Sequence, residues 1–204
     1  MPARNQSWNP MLIGLMLIGA CGSDTGAAPN GKTEPEPAKA GGFAKPAHDC
    51  AALVTTAEIE KICGVKIAKD ISSPDHNGRL SSRVSVCDRQ FYVEAKTGWQ
   101  SMGFLHVDAY ANAASARHSA FDMGMRLWEK QRKDVKDVAG LGDAGRRFLR
   151  DHGPKMPPNL VVESLKGPFY VSFDTPQVVP EFPATPICTE PQIVTLIRQI
   201  NDRL

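Results

Sequence analysis

Ile193, Leu196, Ile197, Ile200 and Leu204 recur at helical spacing and predict a final amphipathic helix with one face docked. Thr189 and Gln192 form a capping box ahead of it, with Pro191 in the first turn. A second capping box, Thr55-Thr56-Ala57-Glu58, opens a helix that runs to about Cys63 and stops at Gly64, with Leu53, Ile59 and Ile62 turned inward. Between these helices, runs rich in β-branched and aromatic residues predict strands at Val65–Ile71, Arg83–Ala95, Met102–Tyr110, Arg146–Arg150, Leu160–Leu165 and Phe169–Asp174. Lys96–Ser101 and Lys166-Gly167-Pro168 read as the turns of two meanders. Across Ala113–Lys133 the stripe Ala114, Phe121, Met125, Trp128 predicts a long central helix, with Arg126, Lys130 and Lys133 on another face. The loop 175–188 holds Pro176, Pro180, Pro183 and Pro186, which oppose a central strand or helix. The expected class is therefore α+β: an antiparallel sheet of about five to six strands with a long central helix and N- and C-terminal helices packed on it.

The first quarter of the chain follows another pattern. Met11 to Cys21 is an apolar run of about ten residues, well short of the roughly 20 a membrane-spanning helix needs, and its anatomy is that of a signal peptide. Ile18-Gly19-Ala20-Cys21 resembles the bacterial lipobox, in which the cysteine is acylated and becomes the mature N-terminus. Residues 1–20 are then a lipoprotein signal peptide and Cys21 the lipidation site. A plain secretory signal with an incidental cysteine, or a buried apolar strand, is the competing reading of the run. Residues 22–47 contain five Gly, four Pro and six Ala with one large hydrophobe, Phe43, too little apolar surface to offset the entropy of ordering. With Cys21 they form a flexible linker over 21–47, spanning roughly 25–30 Å as a coil. The expected location is the cell envelope, lipid-anchored and facing the periplasm or the exterior; in a Gram-negative cell, Gly22 in place of Asp resembles the default that exports lipoproteins to the outer membrane. Residues 48–204 are expected to be a single disulfide-stapled domain.

Composition narrows the function classes. Lys and Arg number 24 against 22 Asp and Glu, a formal charge of +2, which argues against binding nucleic acid by charge. Hydrophobic residues at 42% and charged residues at 23% are ordinary globular usage. Once Cys21 is assigned to lipid, Cys50, Cys63, Cys87 and Cys188 remain, an even number that favours two disulfides among three possible pairings in an oxidising compartment. A four-cysteine zinc site is the alternative, but no Cys-x-x-Cys spacing occurs.

Candidate chemistry is sparse. Gly140-Leu141-Gly142-Asp143-Ala144-Gly145 fits the G-x-G-x-x-G pattern of dinucleotide sites, yet no helix follows to hold a pyrophosphate, so it reads as a glycine-built turn. His106 and Asp108 share a strand face and are either two metal ligands or an exposed polar face, and His118 and Asp122 stand one helical turn apart and are either two ligands or a simple hydrogen-bonded pair. His48, His76 and His152 sit in loop sequence without such companions. No Gly-x-Ser-x-Gly or comparable setting activates a nucleophile. Arg146, Arg147 and Arg150 form a basic cluster, read either as edge-strand protection or as a seat for anionic headgroups or an acidic partner. Trp99 at a hairpin end is a surface anchor or a core cap. No cofactor and no metal site is expected.

The order of features resembles a broad group of bacterial envelope lipoproteins, best represented in actinobacteria and including the LpqN-like proteins. The resemblance rests on Cys50-Ala51-Ala52-Leu53-Val54-Thr55 leading to Glu58-Ile59 and Gly64, on Cys87 in the next strand region, and on Val138-Ala139-Gly140-Leu141-Gly142-Asp143-Ala144 after a long helix. It implies a PsbP-like α+β fold over about residues 50–204, no catalytic residues to carry over, and a Cys50–Cys87 disulfide, with Cys63 and Cys188 then left to each other. Two function classes follow. One is a non-catalytic lipoprotein binding a hydrophobic small molecule, an envelope polymer or a protein partner. The other is an exported hydrolase or metal-dependent enzyme to which His106, Asp108 and His152 contribute. Clustering of that trio favours the enzyme; dispersal favours binding.

Overall fold

Asn112 accepts a hydrogen bond from the Ser115 amide at 2.8 Å and so starts the helical segment that separates the two meanders of the sheet. The computed structural model describes residues 42–72, 83–93, 102–127, 129–154, 156–177 and 186–204, all within one compact unit, Lys39–Leu204. The signal peptide, Cys21, His76, Trp99, Trp128 and the Lys96–Ser101 turn lie outside the described residues.

Seven strands form one antiparallel sheet: β1 Ile67–Ser72, β2 Arg83–Val93, β3 Met102–Tyr110, β4 Arg132–Asp137, β5 Ala144–Arg150, β6 Asn159–Lys166 and β7 Phe169–Pro176, in the spatial order β1-β2-β3-β7-β6-β5-β4. Two meanders thus meet where β3 pairs with β7. The fold is α+β, and the strand count exceeds the five to six expected by one. The extra strand is β4, whose first two residues, Arg132 and Lys133, fall in the expected helix. The segment instead winds through α3 Ala113–Ala116, a π turn Arg117–Asp122, α4 Met123–Leu127 and a 3₁₀ turn Glu129–Gln131 before straightening. The expected helix to Lys133 fails for a non-local reason. The Arg132 guanidinium reaches Glu163 on β6 at 3.3 Å, and Arg132 pairs with Arg150 in the β4–β5 ladder. β4 is an edge strand protected by charge and by a register shift between Lys133 and Lys136, where Asp134 sits at φ +52°.

Three helices cover one face of the sheet: α1 Cys50–Leu53, α2 Thr56–Cys63 and α5 Glu190–Arg203. In α2 the Thr55 amide donates to Glu58 at 2.7 Å and the Glu58 amide donates to the Thr55 hydroxyl at 3.2 Å, and Gly64 closes the helix at φ +67°. In α5, Gln192 accepts from the Thr189 amide at 2.8 Å. Ile193, Leu196, Ile197 and Ile200 are buried against Val107, Val162, Val171 and Phe173, each side chain contributing roughly 1.5–3 kcal/mol by leaving water. Cys50 pairs with Cys87 and Cys63 with Cys188, Cα–Cα 4.8 and 4.7 Å, fastening α1 to β2 and the end of α2 to the segment before α5. Within the stretch read as linker, the Ala44 amide donates to the Tyr110 carbonyl at 3.2 Å. Among the described residues no helix is long and apolar enough to cross a membrane.

The other face is treated differently along its length. α3 and the π turn cover only one end of it, where Ala116 and Phe121 pack on Tyr110 and Leu165. Among the described residues no helix covers the remainder, which carries mostly polar and charged side chains with Phe104, Val161 and Phe148 between them.

Candidate functional site

Strand register assembles this open face. Because alternate residues share a face, pairing β2, β3, β7, β6 and β5 lines up Asp88, His106, Ser172, Glu163 and Arg146 in one row. The next row in one direction carries Asp108, Tyr170, Leu165 and Ala144; in the other it carries Phe104, Asp174, Val161 and Phe148.

Glu163 is the centre of the row. Its side chain is 0% exposed, and the Arg132 and Arg146 side chains that reach its Oε1 are each 6% exposed. Tyr170 donates its hydroxyl to Oε2 at 2.6 Å, a short bond of the charge-assisted kind. Arg146 also donates to the Phe121 carbonyl at 2.7 Å and lies 3.5 Å over that ring, while Arg132 lies 4.1 Å over Phe148. Burial, reinforced by the adjacent carboxylate, holds the Tyr170 hydroxyl well above the usual tyrosine range. Burial lowers Arg132 from the usual arginine range in spite of Glu163, and Arg146 and Arg150 add to the fall. Two further carboxylates are paired on the same face: Asp108 with Arg83 at 2.7 Å, and Asp174 with Arg150 at 2.8 Å and Asn159 at 2.6 Å. Burial raises both aspartates above the ordinary carboxylate range in spite of those partners.

Two cavities open on this face, and Arg150 borders both. The larger, about 560 Å³, is walled by Ile71, Gln90, Phe104 and His106 and includes Asp88, His152 and Asp174. The Phe104 and His106 rings lie parallel with centroids 6.5 Å apart, and His106 Nδ1 stands 3.4 Å from Asp88. The smaller, about 310 Å³, lies beside the π turn against Arg83, Arg132, Gln131 and Tyr170. Both volumes fall in or near the range of small-molecule sites.

The residues singled out in the sequence are distributed as follows. His106 and His152 border the same cavity, whereas Asp108 is held by Arg83 one row away. His118 and Asp122 are exposed on the π turn, whose wider winding alters the one-turn spacing assumed for them. His48 is exposed. Among the described residues no group of three or more His, Cys, Asp or Glu is placed to hold a metal. The basic cluster Arg146, Arg147, Arg150 does not exist as a cluster, and β5 is not an edge. Alternation sends Arg146 and Arg150 to the open face and Arg147 to the opposite one, where it binds Asp134 at 2.5 Å. The glycine pattern belongs to packing: Gly140 and Gly142 both have φ +68°, and a Cβ on Gly142 would collide with the Leu165 carbonyl. A cavity of about 460 Å³ lies along this turn.

Sequence reading passed over Glu163, Tyr170, Asp174, Arg83, Arg132 and Asp88. One signal was present. Glu163 interrupts the run Leu160-Val161-Val162-Glu163-Ser164-Leu165, and a charge inside a continuous apolar strand must be paired to be buried. No protein-family model, no curated protein and no solved structure matches the chain.

Proposed function

We propose that the protein is a lipid-anchored cell-envelope lipoprotein acting as a non-catalytic binding module, and that its ligand site is the open face of the sheet. The observation that carries this reading is the 560 Å³ cavity on a face that no helix closes among the described residues, with an aromatic wall beside paired polar groups, the mixture typical of ligand pockets. The charged groups around it are engaged with one another, Asp174 with Arg150 and Asn159 and Asp88 with His106, and its described lining contains no serine, threonine, cysteine or lysine to act as a nucleophile. The lipobox-like Ile18-Gly19-Ala20-Cys21 supports the anchor, and the two disulfides suit a domain facing the periplasm or the exterior. The order of cysteines and glycines supports kinship with the envelope lipoproteins that carry a PsbP-like domain. The ligand classes in view are a hydrophobic small molecule, an envelope polymer and a protein partner.

The test uses the full chain purified from its own envelope. Solvent extraction should release a bound molecule, and Gln90→Trp, which fills the cavity beside Phe104, should retain less than a tenth of it. Cys21→Ser should move the protein from the membrane to the soluble fraction. Equal cargo in the wild type and Gln90→Trp would place the ligand elsewhere.

One observation favours the second reading, an exported hydrolase: His106 and His152 border a single cavity, with Asp88 placed to orient His106. That reading requires an activity toward envelope esters or amides that His106→Gln abolishes without loss of fold.

A further inference from the structure

The smaller cavity is lined by guanidinium groups and, among its described lining residues, by no carboxylate. Arg83, Arg132 and Arg150 line it; their partners Asp108, Glu163 and Asp174 stand outside the lining, and Glu163 also serves Arg146. Arg132 and Arg146 share one carboxylate oxygen, so two buried cations have a single counter-charge between them. Each arginine offers five N–H donors in a fixed fork. Glu163 takes bonds from Nη1 of Arg132 and Nε of Arg146, Asp108 from Nη1 of Arg83, and Asp174 from Nη1 of Arg150. A buried excess of positive charge is costly, and an incoming anion relieves it. Three of these arginines, Arg83, Arg132 and Arg150, border the same 310 Å³ space, with the side chain of Gln131 beside them. Planar guanidinium forks are the groups best suited to carboxylate and phosphate oxygens.

Access and shape agree with this charge. Gly124 of α4 stands over Arg132: a Cβ at that position would sit 3.3 Å from Nη2 of Arg132, so a side chain there would crowd the guanidinium. Arg83, with 41% of its side chain exposed, stands at the rim. Arg150 borders both this cavity and the larger one, where Phe104 and Ile71 provide an apolar wall. An occupant charged at one end and apolar at the other therefore matches the two spaces in sequence.

We propose that the arginine-lined cavity binds the anionic headgroup, carboxylate or phosphate, of an amphiphile whose apolar part lies against Phe104 and Ile71 in the adjoining cavity. The inference rests on the reading of the open face as a ligand site and names the class of ligand. It predicts that headgroup charge decides binding: a fatty alcohol, which lacks the anion, is a poor ligand, and a quaternary ammonium amphiphile is poorer still.

The experiment uses the full chain in its membranes and four photoactivatable probes with the same sixteen-carbon diazirine chain: a fatty acid, an alkyl phosphate, an alcohol and a trimethylammonium. The acid and the phosphate should label peptides containing Gln90 or Phe104 at least tenfold more than the alcohol or the ammonium. Comparison of the acid and phosphate arms tells which oxyanion is preferred, and competition by inorganic phosphate separates a site for the headgroup alone from one that needs the chain. Arg83→Gln, at the exposed rim, should lower labelling by the acid or phosphate about fivefold with the fold intact, and Gly124→Leu should lower it further by closing the cavity over Arg132. Equal labelling by the alcohol, labelling confined to other peptides, or labelling unchanged in both variants would overturn the proposal. If Gln90→Trp strips a native ligand while neither anionic probe labels the chain, the open face remains the ligand site and the anionic class is wrong.

Discussion

Glu163→Gln is the sharpest test of how the open face is held together. The substitution keeps size and shape, and the amide oxygen can still accept from an arginine while its NH₂ donates to the Tyr170 hydroxyl. What disappears is the charge. Two guanidinium groups with 6% of their side chains exposed then lose the carboxylate they share. Breaking a buried pair in this way costs about 3–5 kcal/mol, most of it the uncompensated charge left behind. Because the amide saves the hydrogen bonds, the lower end applies, about 3 kcal/mol. For a domain of this size that lowers the melting temperature by about 6–12 °C. Urea unfolding of wild type, Glu163→Gln, Arg146→Gln and the double variant, followed by circular dichroism, measures the loss and closes a double-mutant cycle, whose coupling should exceed about 1 kcal/mol. A loss for Glu163→Gln under about 1 kcal/mol would mean that water screens the cluster, and the argument for an unbalanced buried charge would fail with it.

Other outcomes follow from single contacts. The Arg203 guanidinium beside Glu58, with help from the Thr55 amide, holds the Glu58 carboxyl down to about 2; the stabilisation is complete above the ordinary value of 4.5 and is lost as pH falls through 2, so the deficit of Arg203→Gln against wild type should be about 1 kcal/mol or less at pH 7, as befits a partly exposed pair, should shrink as pH falls below 4.5 and should be gone only below pH 2 in urea titrations. Gly142→Ala should cost at least about 2 kcal/mol, since it adds a backbone collision to a left-handed conformation, whereas Gly140→Ala, whose nearest neighbour is the tip of Arg198 at 3.8 Å, should cost about 1 kcal/mol; equal melting temperatures for the two would refute the packing account of this turn. Removing Cys63 and Cys188 together should cost about 5 kcal/mol and removing Cys50 and Cys87 about 4 kcal/mol on the chain-entropy model, given separations of 125 and 37 residues; a Cys50-to-Cys63 peptide in a non-reducing digest would defeat both figures.

The parts of the fold that local chemistry decides were legible in the sequence. Capping boxes at Thr55 and Thr189 and the stripe from Ile193 to Ile200 locate α2 and α5, because caps and periodicity act within a few residues. β3 falls on the residues that alternation predicts, Met102–Tyr110. β4 was not legible. Lys133, Asp134, Lys136 and Asp137 carry no apolar alternation, and the strand exists because β5 offers an edge and Glu163 offers Arg132 a counter-charge from 31 residues away. Only Lys133 of that stretch falls on the polar flank of the helix that periodicity predicts.

The open face was illegible for a related reason, and the misreading of the arginines shows why. Arg146, Arg147 and Arg150 are close in sequence, but a strand sends neighbours to opposite sides, so proximity in sequence on a strand is evidence of separation. What brings Arg150 together with Arg83 and Arg132 is the register of five strand pairs, none of which is encoded within a single window. Glu163 announced locally that some cation must lie opposite it, without saying which. Whole-chain charge was no guide either. A net +2 over 204 residues speaks against long-range attraction to a polyanion, but an anion site within a sheet face depends on what lines a few hundred cubic ångströms, where Arg83, Arg132 and Arg150 stand with no carboxylate among the described lining residues. A nearly neutral chain can therefore hold an arginine-lined pocket, with the compensating acids Asp108, Glu163 and Asp174 bonded to those arginines from just outside its lining.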